Sequence, residues 1–392
     1  MTSKKNFLFS LIGIFFVFTT VKFYSFYVEH SSWQYSDWLI NYQGGFVRRG
    51  LIGEILFQIH KILSIDLDLL IFFFVIFLYL VLSIILIQSL KYLSNSYLDS
   101  IIMLSPGFFL YPIMNSEVTG RKEILLLSIF FSLIFFDKKI HKNLLFPIFL
   151  ISIIILCLSH SAFVFFMPYF LIAYVLIKSN TEQKLKIFEF IIFVFTIFIL
   201  VFLIYNFQGT QLHVVKICES VKNFTTAGCG TADQISWIAN SVQDYFSEKK
   251  ERIYKYLLIY FPSLIMVFLF IFIRLINSQY GNKFQKFNRF HPFLAIVFLF
   301  LCTIPVYILG LDWGRYIHIS YSLTIFLYIY CLKNNVLFFK ESQFLNKIKL
   351  KKIFIFIFIF FYSFSWTFPF YNAINFKLTL EKPFKKLIKK IN

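Results

Sequence analysis

Several chemistries are excluded by what this 392-residue chain lacks. It has no P-loop, no nucleotide-binding glycine fingerprint, no Cys or His pair at zinc spacing and no nucleophile elbow. Energy therefore arrives with an activated substrate or from a gradient, not from nucleotide handled by the chain itself. Charge is scarce, at 15% of residues, and acidic charge scarcer, with 19 Asp and Glu against 38 Lys and Arg. No internal repeat, soluble domain or linker is evident, so residues 1–392 read as a single polytopic membrane domain.

What is present is apolar. Hydrophobic residues make up 59% of the chain, far beyond the needs of a soluble core. Apolar runs of about 17–25 residues recur, each able to cross about 30 Å of hydrocarbon as a helix. They lack period-two alternation, and backbone in lipid must bond to itself, so an all-α protein is expected rather than a β-barrel. The first run covers about residues 6–26, and others centre near residues 80, 108, 130, 151, 169, 195, 264, 300, 324 and 362, which makes about eleven spans. An amphipathic piece from Leu51 to about Ile65 carries Glu54 and His60, which suits a helix in the membrane interface.

The net charge of +19 does not point to nucleic acid, because the lysines sit mostly between apolar runs. Lys4 and Lys5, Lys138, Lys139 and Lys142, Lys178, Lys184 and Lys186, Arg274, Lys283, Lys286 and Arg289, and the cluster from Lys347 to Lys352 fall on one side in an eleven-span count. The positive-inside rule makes that side cytoplasmic. Lys382, Lys385, Lys386, Lys389 and Lys390 then land outside, against the rule. The outer loops run over about residues 27–66 and 207–252.

The same count puts each distinctive polar cluster on the outer side. The first runs from Asp37 through Asn41, Gly44, Gly45, Arg48 and Arg49 to Glu54. Glycines let backbone approach a ligand, and tandem arginines can fork onto phosphate, which suits an anionic, membrane-tethered substrate. Asp37 is a candidate general base or metal ligand, set against an interfacial loop whose arginines meet headgroups. The second cluster holds Glu117, Gly120, Arg121, Lys122 and Glu123, with Glu117 and Arg121 spaced to pair on one helix face. The third is His160, which interrupts a long apolar stretch. The fourth holds Asp312, Trp313, Arg315, Tyr316 and His318, whose aromatics suit a sugar ring or a headgroup anchor. Cys218 and Cys229 alone among the five cysteines fall outside the expected spans, and a disulfide between them is expected in an oxidising compartment.

The pattern resembles the GT-C class of integral-membrane glycosyltransferases, in which a first outer loop bears a catalytic acid and an amphipathic helix follows. Asp37 stands in the place of that acid. The run Gly44-Gly45-Phe46-Val47-Arg48-Arg49-Gly50-Leu51-Ile52-Gly53-Glu54 resembles a motif in membrane proteins of surface-polysaccharide gene clusters. Within the class the nearest likeness is to bacterial O-antigen and capsular polysaccharide polymerases of the Wzy type. One departure matters: Trp38 and Leu39 follow Asp37, so the paired acidic motif of many GT-C enzymes is missing, and a divalent metal finds no support in the sequence.

The resemblance implies a polyprenyl-pyrophosphate-linked oligosaccharide as substrate, no cofactor and a site at the outer face of the bacterial cytoplasmic membrane. Partners would be membrane lipids, a flippase and a chain-length regulator, with no nucleic acid. Arg48 and Arg49, with Arg121, Lys122 or Arg315, would stabilise charge on the leaving diphosphate. Gly44, Gly45, Asn41, Trp313 and Tyr316 would line the site. Asp37 would take the acceptor's proton, with Glu117, Glu123 and Asp312 as rivals. The alternatives are a lipid-linked glycan flippase or transporter, and a membrane acyltransferase with His160 as base.

Overall fold

The computed structural model describes residues 3–29, 32–94, 96–225, 229, 234–240, 253–281, 284, 291–339, 352–369 and 377–378. Lys283, Lys286, Arg289, the run 347–351 and the tail lysines lie outside these, as do 226–228, 230–233 and 241–252 of the long loop.

The described chain is all-α apart from two short antiparallel strand pairs, Ser278–Tyr280 with Leu337–Phe339 and Trp366–Thr367 with Lys377–Leu378. Among the described residues seven helical stretches are long and apolar enough to cross a membrane. They are built on α1 (Ser3–Val28), α4 (Leu67–Ser89), α8 (Leu145–Ser159), α9 (Met167–Asn180), α10 (Ile187–Asn206), α12 (Ile253–Ile276) and α13 (Pro292–Leu309). Two apolar helices are shorter, α7 (Glu123–Phe135) and α15 (Lys352–Phe364). The remaining long helix, α14 (Trp313–Lys333), carries Arg315, His318, Ser320, Ser322 and Thr324, and every residue from Gly314 to Cys331 is buried. Such a helix is unfit for lipid and stable only at the centre of a bundle, where α7, α12 and α13 pack on it.

The amphipathic piece is helix α3 (Leu51–Leu63), which buries Ile52, Leu56, Phe57 and His60 while Ile55, Ile62 and Leu63 stay exposed. Ser64, at φ 52°, ends it in the left-handed region. Gly53 is required where α3 meets α2 (Ser32–Leu39), because an added Cβ would run into the carbonyl oxygen of Ile40.

The segment centred near residue 108 departs from the expected helical span. It consists of α5 (Tyr97–Met103), an irregular buried turn through Pro106 and Gly107, and the short α6 (Tyr111–Met114). Proline and glycine interrupt the helix, and the freed carbonyls find donors on the central helix. Tyr321 Oη donates to Ile102 O at 2.8 Å, and His318 Nδ1 lies 2.9 Å from Gly107 O.

Side-chain contacts distinguish two ends of the bundle. At one, Lys5 Nζ reaches Lys91 O, Lys333 pairs with Asp137, and Arg274 with Asp99. At the other, α2, the loop to α3, the N-terminus of α7, the C-terminus of α8 and the start of α14 converge. The broken segment leads from Asp99 at the first end to Lys122 at the second.

Candidate functional site

The second end holds a buried cluster of ionisable groups. Asp37 lies on α2, whose successive side chains fasten in different directions. Gln34 Nε2 donates to Glu117 O, Tyr35 Oη to Asp68 O, and Trp38 Nε1 to Gly120 O at 2.6 Å. These ties hold Asp37 at 2% exposure. Its partner is Lys122, with Nζ 3.4 Å from Oδ1, although that oxygen accepts no hydrogen bond. Burial alone would raise the Asp37 carboxyl; the positive charge around it, Lys122 first, outweighs burial and holds the carboxyl below the ordinary range.

Lys122 is fully buried, and Nζ also donates to Arg49 O and Ser159 O, each at 3.1 Å. An ammonium has three donors; these two carbonyls take two of them, and Asp37 is held as an ion-pair partner. Burial pushes its pKa down to about 8, with Asp37 opposing. The lysine therefore supplies charge and cross-links α2, the first loop and α8.

His160 ends α8 and caps the turn Ser161–Phe166, with Nδ1 accepting from Ala162 N at 3.3 Å. A ring nitrogen that accepts carries no proton, so the neutral tautomer has its N–H on Nε2. Burial, then the Arg49 charge, holds the imidazole well below its usual pKa. His160 is thus a neutral hydrogen-bond donor whose lone pair is already used, which argues against the acyltransferase base.

The tandem arginines have different fates. Arg48 Nη2 donates to Asn240 O at 3.4 Å, and its backbone N to Phe207 O. Arg49 Nη1 donates to Gln234 Oε1 at 3.3 Å, while its Nε is buried with no acceptor. No carboxylate lies within ion-pair distance of Arg49 among the described residues.

Arg315 joins the cluster from α14. Its guanidinium forks onto Glu123 Oε1 through Nε and Nη2 and donates through Nη1 to Asp312 Oδ2 at 2.5 Å. Glu123 Oε2 is buried without a hydrogen bond. Arg121 Nε donates to Glu117 O, and its guanidinium lies 5.9 Å from the Trp33 ring centroid. Among the described residues Arg49, Lys122, Arg121 and Arg315 face Asp37, Glu123 and Asp312, so in that set cationic charge is in excess, which favours an anion.

Other expected residues serve the scaffold. Gly44 and Gly45 turn against α11 (Gln211–Val221): a Cβ on Gly44 would lie 3.1 Å from His213 O, and Gly45 has φ 115°. They admit that helix rather than a ligand. Asn41 Oδ1 accepts from Gln43 N, and its Nδ2 donates to Ser220 Oγ on α11. Glu54 closes the same loop by accepting from Tyr42 N at 2.8 Å. Glu117 is exposed and does not pair with Arg121 on a helix face, because Gly120, at φ 79°, reverses the chain between them. Trp313 is packed edge-on among Tyr256, Tyr260 and Tyr307 at 5.6–5.8 Å, and Tyr316 meets Tyr307. Cys218 and Cys229 are bonded, anchoring α11.

Sequence reasoning missed the Ser159 carbonyl and Gln234, and kept Glu123 only as a rival base. The position of Glu123 beside Arg121 and Lys122 was the available signal; Gln234 gave none. Among the described residues no group of three or more His, Cys, Asp or Glu is placed to hold a metal ion. No family model, curated protein or solved structure matches the chain.

Proposed function

We propose that the chain is a membrane glycosyltransferase of bacterial surface-polysaccharide assembly. It would polymerise or transfer polyprenyl-pyrophosphate-linked glycan at the outer face of the cytoplasmic membrane. The observation that carries this reading is the cationic excess among the described residues around buried Asp37, with none of their carboxylates within ion-pair distance of Arg49 and with His160 offering a neutral N–H. Donors fixed in a dry site are suited to charge that develops on a departing diphosphate. The chain counts as eleven crossings if the broken segment through Pro106 and Gly107 is one of them. Lys5, Lys138, Lys139, Lys142, Lys178 and Arg274 then share the end away from the site, which supports an outer location.

In this reading Arg49 and His160 bind the diphosphate, Lys122 lends charge, and Asp37 takes the proton from the acceptor hydroxyl. Asp37→Asn and Arg49→Ala should each abolish polymer in the glycan profile while the protein remains in the membrane. Normal chain length in both variants would refute the assignment.

A lipid-linked glycan flippase is the second reading. It is favoured by the broken segment packed on a charged central helix, a feature of transporter sites. Intermediates accumulating on the inner leaflet of a deletion strain would select it; accumulation of single repeat units on the outer leaflet would select the transferase.

A further inference from the structure

Three contacts lay parts of residues 207–225 and 234–240 over the first loop. Arg48 N donates to Phe207 O, Asn41 Nδ2 to Ser220 Oγ, and Arg48 Nη2 to Asn240 O. The Cys218–Cys229 bond fixes the middle of this strap. Among its described residues, Gln234 reaches the cationic cluster. Gln234 is 8% exposed; its backbone N donates to Ser36 Oγ, beside Asp37, and its Oε1 accepts from Arg49 Nη1.

We propose that Gln234 is a placeholder for an anionic ligand oxygen at Arg49, and so sets how tightly the site takes a diphosphate. This rests on the diphosphate reading above.

The chemistry favours exchange. Arg49 has one neutral amide oxygen at 3.3 Å and a buried Nε with no acceptor. A phosphate can fork onto a guanidinium through two N–H groups, and charge-assisted bonds are about twice as strong as neutral ones. An arriving phosphate thus gains Nε and replaces Gln234 at Nη1. The glutamine backbone keeps its bond to Ser36, so only the side chain need turn. A neutral amide is suited to the role: it orients Arg49 without cancelling its charge. A carboxylate there would form an ion pair that the ligand must break.

The test uses the full chain in detergent and inorganic pyrophosphate, with binding measured by calorimetry for the wild type, Gln234→Met and Gln234→Glu. Methionine keeps the volume but removes the competing acceptor, so affinity should rise about 2–10-fold, the value of one neutral hydrogen bond. Glutamate should lower affinity by about tenfold or more. A Met variant that binds no more tightly than wild type overturns the placeholder. If that variant does not fold, the near-isosteric Glu variant decides alone, and undiminished affinity overturns the proposal. If the wild type binds pyrophosphate but the Met variant does not gain, only the placeholder falls. If neither the wild type nor the Met variant binds, the diphosphate reading falls with it.

Discussion

Asp37 and Lys122 form a buried pair whose removal separates a structural role from a chemical one. At 3.4 Å, two unit charges in a medium of effective dielectric about 20 attract by about 5 kcal/mol. Neutralising one member leaves the other buried, which typically costs about 3–5 kcal/mol. Asp37→Asn should fall at the lower end of that range, because Lys122 keeps the carbonyls of Arg49 and Ser159. Lys122→Met should cost more, because it leaves a bare carboxylate at 2% exposure and takes the donor from the Arg49 and Ser159 carbonyls. The double variant removes both charges and should recover the part of the loss due to the stranded charge, giving a coupling of about 3 kcal/mol or more. Denaturant unfolding of all four proteins in one detergent measures this cycle. Activity should not follow stability: the double variant should be more stable than Lys122→Met alone, yet make no polymer. Two results would refute the reasoning. Additive single effects would mean the pair does not interact as its geometry implies. A double variant that restores polymer would make Asp37 a charge partner for Lys122 and nothing more.

Other consequences are accessible to the same preparations. His160 is held neutral, so its folded pKa lies below the unfolded value of about 6.5. Between those two values the unfolded chain binds more protons, so this group's stabilising share is present above about pH 6.5 and is lost as pH falls, by up to about 1.4 kcal/mol per unit. His160→Asn keeps an acceptor for Ala162 N and should flatten the dependence of unfolding midpoint on pH between about 5 and 7; an unchanged slope would show that another group titrates. Arg49→Ala should lower polymerisation by about 10²-fold or more with little loss of stability, whereas Arg48→Ala should cost about 1–2 kcal/mol of stability and spare most activity; equal effects would mean both arginines meet substrate. Replacing Cys218 and Cys229 together by Ser opens a bridge between residues 11 apart, and should cost about 2–3 kcal/mol and loosen the loop at Asn41–Gly45. Proteolysis at that loop, compared with and without reductant, reads it.

The fold and parts of the site are legible in the sequence for different reasons. Helix α3 is legible because Glu54 and His60 break an otherwise apolar run, although His60 lies on the buried face. The ionisable cluster is legible because charges beside membrane spans are expensive, so Asp37, Arg121, Lys122, His160 and Arg315 stand out singly. Their partnerships do not. Arg48 and Arg49 look equivalent until the strap supplies Asn240 to one and Gln234 to the other, residues about 190 positions away. Glu117 and Arg121 have helical spacing, but Gly120 at φ 79° cancels it, a backbone state that spacing alone does not encode. The broken segment was announced by Pro106, Gly107 and Pro112, yet its apolar average still reads as a plain helix. Its carbonyls are tolerated only because Tyr321 and His318 arrive from α14, which no local reading could supply.

The depressed Asp37 carboxyl bears on how such a site could act as a base. A general base works best with a pKa near the working pH, and a carboxylate ringed by cations is held below that. An anion bound at Arg49 changes the balance. At about 5 Å and an effective dielectric of about 20, one negative charge raises a neighbouring carboxylate by about 3 kcal/mol, or about two pKa units. Diphosphate binding would therefore lift Asp37 toward the ordinary carboxylate range, so that the site holds a competent base only when a donor is present. The pH profiles carry the sign of this coupling: the acidic limb of kcat, which reports the complex, should lie above the acidic limb of kcat/KM, which reports the free protein. Limbs that coincide, or lie in the reverse order, would show that the charge of the ligand does not reach Asp37, and one of the rival carboxylates would then have to be the base.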